Sequence, residues 1–144
     1  MAYVKNWLHC VWGTKNRIHL MTQDVKTAII DHINQNATSK RIYIKTLNGS
    51  LEHLHCLLSL DPDRSLSYVM QLIKGESSFW INSNKVTKYK FEWAEEYYAV
   101  SVSESDVSAV IRYIENQEEH HRKKSWDEEC MEFMTKYGFD RFPG

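Results

Sequence analysis

Two histidines separated by one residue, His53 and His55 in SLEHLHCLLSL, are the first residues of this chain whose types and spacing suggest chemistry. An extended strand sends alternate side chains to opposite faces. His53, His55, Leu57 and Ser59 would share one face, while Leu54, Cys56, Leu58 and Leu60 make an apolar one. Two imidazoles side by side suit a borderline divalent metal. The segment YIENQEEHH offers a second set, with Tyr113 and Gln117 four apart and so neighbours on one helix, and His120 and His121 following. The Gln117 amide oxygen is a harder ligand that magnesium or manganese accepts, and three protein ligands leave positions for a phosphate oxygen. With Tyr113 as nucleophile, the set points to phosphoryl transfer through a phosphotyrosine. Each piece alone has a plainer reading. The imidazoles could be half-buried hydrogen-bonding groups, Tyr113 a packed ring with an exposed hydroxyl, and His120 and His121 favourable charges at a helix C-terminus.

The elements that must position these residues can be read from periodicity. YVKNWLHCVW at 3–12 reads as a first strand that breaks at GTKNR, and Thr22 opens a helix to about Gln35 with Val25, Ala28, Ile29 and Ile33 at helical spacing. RIYIKTLNGS and LEHLHCLLSL form a β-hairpin about an Asn-Gly turn. After Pro62, Ser65 caps a second helix to about Asn82, interrupted at Gly75. YYAVSV at 97–102 is a fourth strand, and Ser103 or Ser105 caps a third helix from about 106 to 124. A last helical piece, WDEECMEFMTKYG, ends at Gly138. The order β-α-β-β-α-β is the split βαβ, or ferredoxin-like, pattern of the α+β class. It predicts a four-stranded antiparallel sheet with helices on one face, plus a C-terminal helix that carries the tyrosine.

With 144 residues, one domain over 1–144 is expected, and no repeat or linker interrupts it. The 18 basic and 19 acidic residues leave a formal charge of −1, so any polyanion site must be local. Cys10, Cys56 and Cys130 lack paired spacing and read as reduced thiols of a cytoplasmic protein. No window is apolar for long enough to span a membrane, and the N-terminus lacks the plan of a signal peptide.

Beyond these readings, the chain resembles the single-tyrosine transposases of small insertion sequences, in the HUH endonuclease superfamily. The resemblance rests on VWGTKNR at 11–17, LNGSLEHLHCLLSL at 47–60, LSYVMQLIKGESSFWIN at 66–82, FEWAEEYYAVSVSES at 91–105 and VIRYIENQEEHHRKKSWDEECMEFMTKYGFD at 110–140, nearly the whole chain. It implies that His53 and His55 are the paired histidines of the motif, Gln117 the third ligand of a magnesium or manganese ion, and Tyr113 the nucleophile that cleaves single-stranded DNA. A 5′-phosphotyrosine link and a free 3′-hydroxyl would result. The resemblance also implies recognition of hairpins at element ends and a homodimer in which one subunit's tyrosine helix can complete the other's histidine site. Lys15, Arg17, Arg41 and Lys74 are candidate phosphate contacts, Lys74 foremost, and Trp12, Trp80 and Trp93 candidate stacking partners for bases, although Trp12 and Trp80 read better as core residues.

Other functions compete with the transposase: a domesticated hairpin binder of the same fold, an RNA-binding domain, and a metal-dependent hydrolase in which Tyr113 only packs. Intact His53, His55, Tyr113 and Gln117 argue against the first. The second usually displays aromatic residues on its central strands, where this chain displays histidines.

Overall fold

A computed structural model describes residues 2–117 together with 125, 128, 129, 131 and 132. Alternating apolar residues give strands β1 (Trp7–Gly13), β2 (Tyr43–Gly49), β3 (His53–Ser59) and β4 (Tyr98–Ser101). Helices are α1 (Gln23–Ser39), α2 (Leu66–Ser83) and α3 (Val107–Glu115). The strands form one antiparallel sheet in the order β2-β3-β1-β4, the ferredoxin-like arrangement expected.

Strand parity divides the sheet into two unlike faces. On one, Cys10, Trp12, Leu54, Cys56 and Leu58 are buried with Ile29 and Ile33 of α1 and Val69, Met70, Ile73 and Ile81 of α2, forming the main core. Cys10 lies opposite Cys56 in register, and burial pushes the Cys10 thiol up to about 12. The other face carries His9, His53, His55 and a smaller apolar cluster in which Trp7 and Leu57 meet Val107 and Ile114 of α3. Among the described residues no helix is long and apolar enough to cross a membrane.

Several local expectations are corrected. Asn48 and Gly49 do not form the hairpin turn. They continue β2, opposite His55 and Leu54, and the chain reverses through Ser50–Glu52, closed by the Ser50 N–H donating to the His53 carbonyl at 2.9 Å. Gly49 is required there, because a Cβ would stand 2.0 Å from the His53 carbonyl oxygen. Gly75 neither interrupts nor ends α2, and a Cβ on it would meet nothing within 4 Å. Ser65 caps α2 as expected, accepting from the Tyr68 N–H at 3.2 Å. Helix α1 runs about a turn past Gln35, and Thr22 occupies its N-cap position without a side-chain bond. A 3-10 turn at Glu104–Asp106 precedes α3, and Ser103 Oγ donates to Asp106 Oδ2 instead of capping a backbone N–H. Of the last expected helix, residues 128–129 and 131–132 are helical. His120, His121, Cys130 and Gly138 lie outside the described residues.

Candidate active site

The register of the sheet places His53 and His55 on the face opposite the main core, both buried, with their rings 5.1 Å apart. Helix α3 packs across this face against β2 and β3. Its apolar stripe, Val107, Val110, Ile111 and Ile114, faces the sheet and leaves Tyr113 and Gln117 beside the histidines. The side chain of Asn48 fastens the end of the helix, donating through Nδ2 to the carbonyls of Ile114 and Glu115 at 3.1 and 3.2 Å. At the other end the Trp7 indole donates to Glu104 Oε2 at 2.6 Å. The histidines, the tyrosine and the glutamine named from the sequence therefore meet within one chain. Gln117 Oε1 stands 3.3 Å from His53 Nε2, and the Tyr113 ring centroid is 5.5 Å from that of His55.

Three further side chains, of which only Glu52 stands out in the sequence as a neighbour of the histidines, complete the cluster. Glu129 places one oxygen 3.0 Å from His55 Nε2 and the other 3.3 Å from His53 Nε2, and the Tyr113 hydroxyl donates to Oε1. Glu52 Oε1 accepts from His53 Nδ1 at 3.0 Å, while its other oxygen faces His19 Nε2 at 3.0 Å. His9 Nε2 meets His55 Nδ1 at 2.9 Å. Both Nε2 atoms therefore face Glu129, while the groups at each Nδ1 hold the ring orientations. Strand parity puts His9 on the face of His55, a signal already present in WLHCVWG. For Glu129 no local signal exists.

Electrostatics follow this arrangement. Burial opposes charge on His53, but bonds to Glu129 and Glu52 outweigh it and raise its pKa. Burial would raise Glu129 likewise, yet the hydrogen bonds from His53 and His55 hold its carboxyl far below the usual range. Burial and the bond to Glu129 push the Tyr113 hydroxyl well up, so the phenol is protonated at rest. The site thus favours positive charge at the point where the imidazoles meet, and a divalent cation fits there on chemistry and distance. One donor atom each from His53, His55 and Glu129 lies within 4.8 Å of the others. Adjacent ligands of an octahedral ion bound at 2.0–2.1 Å stand about 3 Å apart, matching the separations of 3.0 and 3.3 Å here. A cleft of about 600 Å³ lies beside the site, lined by His9, Asp106, Val110, Tyr113, Glu129 and Glu132.

The candidate phosphate contacts are dispersed. Lys15 and Arg17 follow β1 at the end of the sheet that holds His53, Lys15 facing Glu92 at 3.3 Å and Arg17 lining a second cavity of about 380 Å³ beside Gly13 and Tyr98. Arg41 lies at the opposite end, in the turn between α1 and β2. Lys74 donates to the carbonyls of Ala94, Glu95 and Glu96 at 2.7, 3.0 and 3.3 Å, which makes it a strut between α2 and the segment before β4. The stacking role expected of the tryptophans is not available to Trp12 and Trp93, which are buried edge to face with centroids 6.0 Å apart, while Trp80 stacks on His32.

Comparison with known proteins supplies the family and supports the fold. The chain is 23% identical over 114 residues to the ISDra2 transposase TnpA of Deinococcus radiodurans, a match that spans 76% of this chain and 81% of that one. Two solved structures share the fold. One is a crystal structure of a protein from the same species assigned as a transposase, with a TM-score of 0.65 and 24% identity over 81% of this chain and 95% of that one. The other is a REP-associated tyrosine transposase bound to a REP hairpin, with a TM-score of 0.58 and 19% identity over 88% of this chain and 73% of that one. The model of the family described as "Transposase IS200 like" matches residues 2–117, from the segment before β1 through the glutamine that follows the tyrosine helix. On that match the chain belongs to the IS200-like transposases, enzymes that cleave and transfer DNA strands.

Proposed function

We propose that this transposase cleaves and rejoins single-stranded DNA through a covalent 5′-phosphotyrosine, at element ends marked by hairpins. Tyr113 is the nucleophile, and His53, His55 and Gln117 hold a divalent metal, magnesium or manganese. One observation carries the reading: the Tyr113 hydroxyl donates to the same carboxylate oxygen that lies 3.0 Å from His55 Nε2. The phenol oxygen is thereby held one atom away from the imidazole pair. A phosphotyrosine mechanism needs its nucleophile there.

In the cleavage step the Tyr113 oxygen gives up its proton and attacks the scissile phosphorus. The bond from phosphorus to the 3′ oxygen breaks, and that oxygen leaves as a 3′-hydroxyl after taking up a proton. Attack by a 3′-hydroxyl on the phosphotyrosine reverses the step and restores the phenol. A bound metal would supply positive charge for the phosphate and the departing oxygen. The chain's own residues do the rest. Glu52 and His9 fix the tautomers and ring orientations of His53 and His55. Asn48 and Glu104 hold the tyrosine helix at its two ends.

Lys15 and Arg17 are the basic residues best placed to meet the DNA backbone, being at the His53 end of the sheet. The hairpin in the REP-associated relative supports a hairpin substrate. The homodimer implied by the resemblance needs no exchange of residues to form a site, since Tyr113 and Gln117 reach the histidines of their own chain. Such an enzyme would act on DNA in the cytoplasm.

The test is a denaturing gel of purified protein with labelled single-stranded hairpin oligonucleotides and manganese or magnesium. Wild type is expected to form a metal-dependent protein–DNA adduct, and Tyr113→Phe to form none while still binding hairpins. Cleavage that persists in Tyr113→Phe would refute the nucleophile. Hairpin binding with no adduct across the panel would favour a binder that no longer cuts.

A further inference from the structure

We infer that Glu129 is a further ligand of the metal held by His53 and His55, and that its carboxylate docks the Tyr113 hydroxyl against that metal. The inference deepens the phosphotyrosine reading and rests on it. It begins from a problem of donors. Glu52 and Ser50 surround His53 Nδ1 at 3.0 and 2.9 Å, and His9 meets His55 Nδ1 at 2.9 Å. When the Nδ1 hydrogens are used in those bonds, both Nε2 atoms present lone pairs. Glu129 then brings two carboxylate oxygens to 3.0 and 3.3 Å from those lone pairs, and Gln117 brings an amide oxygen to 3.3 Å from one of them. The whole group is buried: His53 is 0%, His55 1%, Gln117 0% and Glu129 6% exposed. In the metal-free chain ring protons on the imidazoles reconcile these groups with Glu129; a divalent cation in place of those protons would be met by all four donors at once.

The charge balance suits a dication. Two neutral imidazoles, one amide and one carboxylate leave a net charge of +1 on the bound centre, which attracts a phosphodiester. An octahedral ion with four protein donors keeps two positions for phosphate oxygens. Without Glu129 the centre would be more positive but would lose the carboxylate that accepts from the phenol. With it, Oε1 is common to the metal site and to Tyr113, and fixes the nucleophile beside the phosphorus before DNA arrives. The anchor for this carboxylate is local. The Glu129 N–H donates to the Ser125 carbonyl at 3.0 Å, the bond of a helical turn, and the Glu128 N–H donates to Ser125 Oγ at 3.2 Å.

The experiment measures manganese binding to the full chain, free of DNA, by the electron paramagnetic resonance signal of free Mn²⁺. Wild type, Glu129→Gln, Glu129→Asp and Gln117→Ala are compared, each checked for folding by circular dichroism. Glu129→Gln keeps size and hydrogen bonding but loses the charge, and is expected to weaken Mn²⁺ by about tenfold or more, with Glu129→Asp recovering part of the loss. Wild-type affinity in a folded Glu129→Gln would overturn the assignment of Glu129 while leaving the histidine site standing. Absence of Mn²⁺ binding by wild type would overturn the metal reading itself. Should Glu129→Gln fail to fold, wild type labelled at its glutamate carboxyl carbons provides the same decision. Mg²⁺ is expected to shift the Glu129 carboxyl resonance and leave that of Glu76, on the opposite side of the sheet, in place. A Glu129 resonance that does not respond would overturn the assignment.

Discussion

Replacing Asn48 with alanine should loosen the tyrosine helix without touching the histidines. The Asn48 side chain gives α3 two hydrogen bonds, to the Ile114 carbonyl at 3.1 Å and the Glu115 carbonyl at 3.2 Å. The first is partly buried and the second exposed, so together they contribute about 1–2 kcal/mol, given roughly 0.5–1.5 kcal/mol for each. The rest of the attachment is small. Ile114 is fully buried and Val107 nearly so, each worth about 1.5–3 kcal/mol on burial, whereas the main core involves both other helices. Loss of 1–2 kcal/mol corresponds to roughly a 5- to 30-fold rise in the open population of α3. Native-state hydrogen exchange reads this directly. Amides of Ile111 to Glu115 should lose that factor of protection in Asn48→Ala, while those of β1 and β3 keep theirs. Unchanged protection of α3 would refute the claim that Asn48 fastens the helix, and equal loss throughout the sheet would mean that Asn48 acts on the strand pairing instead.

Gly49→Ala forces a Cβ to 2.0 Å from the His53 carbonyl oxygen and 2.8 Å from Leu54 Cα, both backbone, so neither can turn aside. Thermal melting should show destabilisation of about 1–3 kcal/mol or more, and Mn²⁺ affinity should fall because His53 itself must move. Lys74→Met leaves three carbonyls without their ammonium. Melting temperature should drop by an amount worth about 1–3 kcal/mol, while the salt dependence of hairpin binding stays unchanged. A shallower salt slope would restore Lys74 as a phosphate contact. For Glu104, bonds from the Trp7 indole and Lys5 lower the folded-state pKa. Its contribution is therefore present above the ordinary carboxylate range and lost as pH falls through the depressed folded value. Exchange protection of α3 should decline with acid in wild type, and this decline should be reduced in Glu104→Gln.

What the sequence made legible was local in origin. The period-2 run LEHLHCLLSL identified both the core face and the histidine face of β3, and the 3.6-residue period of α3 put Tyr113 and Gln117 on one side. Ser65 announced the start of α2 by hydrogen-bond chemistry that needs only three residues. Misreadings arose where tertiary contact outweighs local preference. Asn-Gly is a strong turn signal, yet Asn48 is used to reach the end of α3 and Gly49 to let two backbones meet, so the turn moves to the next residues. Lys74 reads as a phosphate contact because a sequence does not reveal that three carbonyls of the segment before β4 accept from its ammonium. Trp12 is a core residue, as its apolar strand suggested, and its partner there is Trp93, 81 positions along the chain. Glu129 was hidden for another reason. In WDEEC it is one of three consecutive acidic residues, and nothing local shows that the fold brings Glu129 to both imidazoles.

The balanced charge of −1 gave no hint of a polyanionic substrate, and the placement of charges explains why. Asp106, Glu129 and Glu132 line the cleft in front of Tyr113, while Lys15 and Arg17 stand outside it, at the end of the sheet beyond His53. A phosphodiester approaching the tyrosine therefore meets carboxylates first. Two unit charges 4 Å apart interact by about 4 kcal/mol at an effective dielectric constant of 20, so a carboxylate that close to a phosphate opposes its approach. A divalent cation between the imidazoles and Glu129 would reverse the sign at that point alone and leave the surrounding acids in place. Under the proposed mechanism such a metal would both supply charge to the reaction and decide whether the phosphate can enter. The enzyme would then need no strongly basic surface to direct DNA to Tyr113, because the attraction would be concentrated at the proposed site.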